Sequence, residues 1–161
     1  MYWLETGFGL NQVMAIPNFR PTELTITIRY SDWWWWEDNA PLTMSTDWLE
    51  SFAGNPGLRK LRVEYETISW KRDEMLRIVE RNKKFGMLEV MSEHIDGGDI
   101  NSIEGYLDAS NTSLSEWKWK GTSDLDGQKW SHHGTGETIE YVVITDTWVF
   151  VETINGQAKV R

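Results

Sequence analysis

Trp33, Trp34, Trp35 and Trp36 follow one another without interruption, and no regular backbone can bury all four. Successive side chains of a strand point to opposite faces, and those of a helix spread around its axis, so one or two of these indoles must reach solvent, a ligand or another polypeptide. Two readings of the run follow. In one, Trp33 and Trp35 pack into the core while Trp34 and Trp36 cover a helix or a chain end. In the other, the run is a stacking platform, because indole faces suit the C–H surface of a sugar, a flat aromatic molecule or a cationic side chain. Asp32, Glu37 and Asp38 stand beside it as acceptors for such a guest. A patch that docks a partner protein fits the same residues, since tryptophan concentrates at binding hot spots.

The aromatic excess belongs to the whole chain, with 11 Trp running from Trp3 to Trp148 in 161 residues. That length suits one core, which buries roughly two-thirds of the unfolded surface. A single domain over 1–161 is therefore expected. The formal net charge of −9 repels phosphate backbones and anionic bilayers, which argues against nucleic acid and membrane as partners. With no cysteine, disulfides, thiolate zinc sites and cysteine nucleophiles are excluded, and a reducing compartment, cytoplasmic or nuclear, is favoured. The first residues carry no signal-peptide pattern, and no stretch is long enough to span a bilayer.

Leu24, Ile26, Ile28 and Tyr30 alternate with Thr25, Thr27 and Arg29, the period-two pattern of a half-buried strand. Ser45-Thr46-Asp47 offers caps for a short helix through Trp48, Leu49 and Phe52, which Gly54-Asn55-Pro56-Gly57 ends. Leu61, Val63 and Tyr65 mark a second strand beside the first. Ser69 is placed to cap a longer helix from Trp70 to Lys84, with Met75, Leu76, Ile78 and Val79 as its apolar stripe. The amino-terminal segment has no clear period and reads as an edge strand or as irregular. Residues 1–92 thus form a βαβα-like half.

Residues 93–161 read as a β-hairpin-rich half, because Gly97-Gly98, Asn111-Thr112-Ser113, Asp126-Gly127 and Asn155-Gly156 punctuate short apolar runs. Trp117 and Trp119 share one strand face, with Lys118 and Lys120 on the other, and the turn at Asp126-Gly127 is placed to fold Gln128 to Trp130 back toward them. Thr138 to Glu152 should hold the most buried strand, and Gln157 to Val160 a last edge strand. The fold class expected is α+β: a mixed, largely antiparallel sheet with one long and one short helix packed on one face.

The segments Leu24-Thr25-Ile26-Thr27-Ile28-Arg29-Tyr30-Ser31-Asp32-Trp33 through Glu37, Pro41-Leu42, and Gly57-Leu58-Arg59-Lys60-Leu61-Arg62-Val63-Glu64-Tyr65-Glu66-Thr67 resemble a group of uncharacterised proteins of mushroom-forming fungi (Agaricomycetes). Some of these are labelled F-box-like with degenerate leucine-rich repeats. The likeness covers about half the chain and implies a fungal source and part of a repeat-like sheet. The chain departs from the group in having no recognisable F-box at its start, so ubiquitin-ligase recruitment is not carried over, and the group supplies no catalytic residues.

The candidates for chemistry are histidines. His132 and His133 lie in the loop-like Ser131 to Glu137, and His94 precedes Ile95-Asp96-Gly97. None has the spacing of a zinc-protease helix, so no metal site is expected, and no nucleotide fingerprint points to a cofactor. Were His94, His132 or His133 to meet Glu93, Asp96, Asp99 or Asp126 beside the tryptophans, the pair would serve as general acid and base in a small fungal enzyme acting on a hydrophobic molecule. The preferred reading is a non-enzymatic recognition module. In it Trp33 to Trp36 with Trp48, Asp32 and Glu37 bind a partner protein or an apolar or sugar-like ligand. Exposed aromatic surface also makes self-association plausible.

Overall fold

The computed structural model describes residues 8–36, 38–52, 57–84, 88–96, 99–122, 124–125, 128–129, 138–154 and 157–159; for residues 8, 91–96, 99–104, 124–125, 128–129, 154 and 157–159 it describes the backbone alone. A short helix, α1 (Phe8–Met14), precedes strand β1 (Glu23–Ile28). Strand β2 (Lys60–Ile68) leads through a 3₁₀ turn, Ser69–Lys71, into helix α2 (Arg72–Lys84). Then come β3 (Leu88–Asp96), β4 (Asp99–Asp108), β5 (Ser115–Thr122), the two-residue strands β6 (Asp124–Leu125) and β7 (Gln128–Lys129), β8 (Thr138–Ile154) and β9 (Gln157–Lys159).

Strand β8 organises the sheet. Residues 141–149 pair antiparallel with β2, which pairs parallel with β1. Along its other edge β8 takes β5 against residues 138–145 and β4 against 149–152. β3 pairs antiparallel with β4, and β9 folds back on the end of β8. Seventeen residues reach far enough for two strands to share one edge, at about 3.3 Å per residue. The fold is α+β, and its sheet is mixed and largely antiparallel.

The register sorts the side chains into two faces. On one, Leu24, Ile26 and Ile28 lie beside Leu61, Val63 and Tyr65, which face Trp148, Asp146 and Ile144. This face is the core. Helix α2 covers it with Met75, Ile78, Val79 and Asn82, and the 3₁₀ segment Asp47–Phe52 adds Trp48, Leu49 and Phe52, all three at 0% exposure. The opposite face carries Thr27, Glu64, Thr145 and Ser115 in one row, then Glu66, Val143 and Trp117, then Ile68, Tyr141 and Trp119.

Several expectations need correction. The amino-terminal segment contains a helix, and the short helix after Asp47 is of 3₁₀ type. Ser69 does not cap α2: the chain enters it through the 3₁₀ turn, with Ile68 at the cap position and no side-chain bond there. Gln128–Lys129 pairs with Asp124–Leu125 and not with the strand of Trp117 and Trp119. Trp48, expected at the ligand platform, lies in the core, with its ring edge-on to Phe52 at 6.1 Å. The apolar spacing of Trp48, Leu49 and Phe52 turns all three inward.

Candidate functional site

The tryptophan run is neither strand nor helix. β1 ends at Ile28, and the Arg29 N–H donates to Asp32 Oδ2 at 2.8 Å, closing a 3₁₀ turn at Tyr30–Asp32. A second turn follows, in which Trp35 takes φ 55° and Asn39 φ 54°. The Trp35 carbonyl accepts from the N–H groups of Asp38 (3.1 Å) and Ala40 (3.2 Å). This path puts Trp33 and Trp36 inward and Trp34 and Trp35 outward. Trp33 is 2% exposed and donates Nε1–H to the Glu66 carbonyl at 3.3 Å, next to the last β1–β2 ladder pair, Ile28 and Tyr65. Trp36 is half-buried, edge-on to Tyr30 at 5.9 Å. Trp34 and Trp35 are 42% and 65% exposed. The reading that packs Trp33 and Trp35 into the core and lays Trp34 and Trp36 over a helix or a chain end fits a strand and not this turn, which buries Trp33 and exposes Trp34 and Trp35.

Buried Lys71 anchors this loop from below. Its ammonium donates to the carbonyls of Asn39, at 2.9 Å, and Ala40, and lies 4.0 Å from Glu74 Oε2. Burial lowers the Lys71 pKa, and the Glu74 charge opposes that. The Leu42 N–H donates to Glu74 Oε2 at 2.9 Å, and Trp70, 45% exposed, donates Nε1–H to Asn39 Oδ1 at 3.3 Å. A third exposed indole is thereby tied to the turn that carries Trp35.

The Tyr30 ring carries the aromatic contacts on to the sheet. It meets Tyr141 edge-on at 6.4 Å, and Tyr141 stacks on Trp119 with centroids 4.3 Å apart and planes 12° from parallel. Gly121 makes the stack possible: a Cβ there would lie 2.5 Å from Trp119 Cζ3 and 2.8 Å from Tyr141 Cε2. Trp117 stands one row away, 52% exposed. Glu66 is held near the stack, its Oε1 accepting the Tyr30 N–H at 3.1 Å. Burial raises the Tyr141 pKa, and the Glu66 charge raises it further. The result is an open, aromatic surface with a carboxylate beside it.

Of the residues expected to form a site, Trp34, Trp35 and Trp36 belong to this surface, while Trp33 and Trp48 are buried. One oxygen of Asp32 is committed to closing the turn. Glu37, His132 and His133 lie outside the described residues, as do the turns at 54–56, 97–98, 126–127 and 155–156. His94 lies in β3 opposite Asn101. The sequence alone places Trp70 only at the start of a helix and Tyr141 only within a buried strand, and it gives Trp117 and Trp119 as a strand face; their alternation with Lys118 and Lys120 is the available signal.

Among the described residues, no group of His, Asp and Glu could hold a metal ion, and no helix is long and apolar enough to cross a membrane. One groove of about 700 Å³ runs between the end of α2 and β4, past Lys83, Lys84, Tyr106 and Asp108; another, of about 450 Å³, lies along Pro41, Leu42, Glu74 and Arg81. Neither carries a tryptophan or a histidine. In comparisons with known proteins, the chain matches no family model, no curated protein and no solved structure.

Proposed function

We propose that this protein is a non-enzymatic recognition module that binds a partner protein, or an apolar or sugar-like ligand, through its exposed tryptophans. One observation carries the reading. Among the described residues, the exposed large hydrophobic side chains are Ile16 and five indoles: Trp34, Trp35, Trp70, Trp117 and Trp119. Folding alone gives no reason to leave so much indole surface in water, since a buried aromatic is among the most stabilising core residues. Trp35 adds weight. A bulky side chain with φ 55° costs about 1–2 kcal/mol relative to ordinary backbone, and strain of this kind gathers at sites retained for binding.

The enzyme alternative needs His94, His132 or His133 inside an aromatic-lined cavity. The described indoles lie on open surface instead, which favours the module. A cytoplasmic or nuclear setting and a fungal source belong to the same proposal, on composition and on the resemblance carried by the motifs.

The test uses the chain's own fluorescence and melting temperature against a panel of oligosaccharides, flat aromatics and apolar compounds, with affinity capture for protein partners. Trp35→Asn relieves the left-handed strain and should raise stability by up to about 1 kcal/mol. The same variant should weaken binding at least tenfold, as should Trp119→Ala. Binding by both variants equal to that of the wild type would overturn the proposal.

A further inference from the structure

Strand β5 is exposed on both faces. Every residue from Ser115 to Lys120 is exposed, and among the described residues β5 pairs only with β8. Its eight-residue register is unbroken by a bulge, and it contains no proline. Strands that present a free row of N–H and C=O groups beside large apolar side chains are usually covered or interrupted, because they template pairing with another chain. We propose that two copies of this chain pair through β5, antiparallel about a two-fold axis at Lys118, and that the paired strands join Trp117 and Trp119 of both copies into one platform.

The second copy is chosen by complementarity of the strand with itself. Read about Lys118, the segment Glu116-Trp117-Lys118-Trp119-Lys120 sets Glu116 against Lys120 of the second copy twice and Trp117 against Trp119 twice. Directly opposite side chains of an antiparallel pair lie about 5 Å apart, close enough for both contacts. Lys118 meets its own copy at the axis, and each is neutralised by Glu140 at 3.0 Å. Competing registers are poorer. A slip of one residue sets indoles against lysines, and centring on Trp119 sets Lys118 against Lys120 twice. Centring on Trp117 leaves a single indole pair. The net charge of −9 opposes association at long range but is screened at physiological salt, where the Debye length is about 8 Å. The pairing rests on the free edge and charge pattern of β5 and not on ligand binding, so the inference goes beyond the ligand reading and does not depend on it.

Light scattering on size-exclusion fractions, from micromolar to millimolar protein, should show the mass rising from 18.8 kDa toward twice that value. Lys120→Glu and Glu116→Lys should each weaken the dimer at least tenfold, because each sets like charges together twice. An equimolar mixture of the two should restore it, since every cross-strand charge pair then joins Glu with Lys. Glu116 also bonds Arg72 at 2.7 Å; should Glu116→Lys fail to fold, Trp117→Ser, which removes both indole pairs, takes its place and should weaken the dimer equally. A wild type that stays at 18.8 kDa throughout, or a dimer that survives Lys120→Glu unchanged, would overturn the proposal.

Discussion

Replacing Asp146 by Asn isolates the effect of one buried carboxyl group on folding. Asp146 projects from β8 into the core opposite Val63 and is 0% exposed. Its Oδ2 accepts the Trp148 Nε1–H at 3.0 Å, while Oδ1 meets no donor among the described residues. Burial raises its pKa from 3.8 to about 6, against the opposing pull of the Lys83 charge and the N–H groups of Trp148 and Thr147. The folded protein therefore keeps this proton through a window in which the unfolded chain has lost it. Each pH unit across that window removes up to about 1.4 kcal/mol of stability, or roughly 3 kcal/mol in all. The sign follows: the contribution is fully present below the unfolded value and is gone once pH passes about 6. Glu116, whose pKa is lowered by its bond and charge contact with Arg72, runs the opposite way and loses stability in acid. The difference between wild type and variant cancels such background. Urea unfolding followed by tryptophan emission, at a series of pH values from about 4 to 8, supplies the free energies. Asp146→Asn keeps an acceptor for Trp148 but cannot ionise, so wild-type stability should fall relative to the variant by about 2–2.5 kcal/mol across the series. Identical pH dependence in the two proteins would refute the reasoning.

Two further substitutions test the packing that supports the site. Gly121→Ala drives a methyl group into the Trp119–Tyr141 stack, with Trp119 Cζ3 at 2.5 Å, and should destabilise by about 1–3 kcal/mol; near-ultraviolet circular dichroism should show the loss of the stack. Tyr65→Phe removes the acceptor of the Asn82 Nδ2–H at 3.2 Å in a fully buried pair. The cost should be about 1–3 kcal/mol in chemical denaturation, and Tyr65→Phe with Asn82→Leu should recover part of it, because the double variant no longer buries an amide without its acceptor, while Arg81 keeps the Met44 carbonyl in place of Asn82 Oδ1.

The strands and the long helix were legible because local pattern and burial agree in them. Leu24, Ile26 and Ile28 alternate in the sequence and face Leu61, Val63 and Tyr65 in the sheet; the stripe Met75, Ile78 and Val79 is the buried side of α2. The Gly97-Gly98 signal sits between β3 and β4, which pair antiparallel with Asp96 opposite Asp99. What local pattern does not hold is the order of strands. That β5 and β4 share one edge of β8 depends on register between segments tens of residues apart, which the alternation of any one strand leaves open. Helix α1 was missed for a related reason: its seven residues carry no acidic group in the first turn and no basic group in the last, so no capping signal marks it.

The tryptophan run stands out in the sequence, but strand alternation alone divides its members wrongly between inside and outside. Assignment by alternation presumes that the strand pattern of residues 24–30 continues through the run. The Asp32 carboxylate ends that pattern by taking the Arg29 N–H. Trp33 and Trp36, three residues apart, then turn to the same side, as they do in a helical turn. An acidic residue just before an aromatic run is a local signal, of the kind that caps turns, and reading Asp32 as a cap instead of a ligand acceptor would have predicted the observed division. The same logic explains why Trp70, Trp119 and Tyr141 were not assembled with the run. The turn that Trp70 bonds through Asn39 depends on Lys71 holding the carbonyls of Asn39 and Ala40, and the Trp119–Tyr141 stack depends on the bare backbone of Gly121. Both are properties of the tertiary fold, so the surface exists only once β2, β5 and β8 are in register.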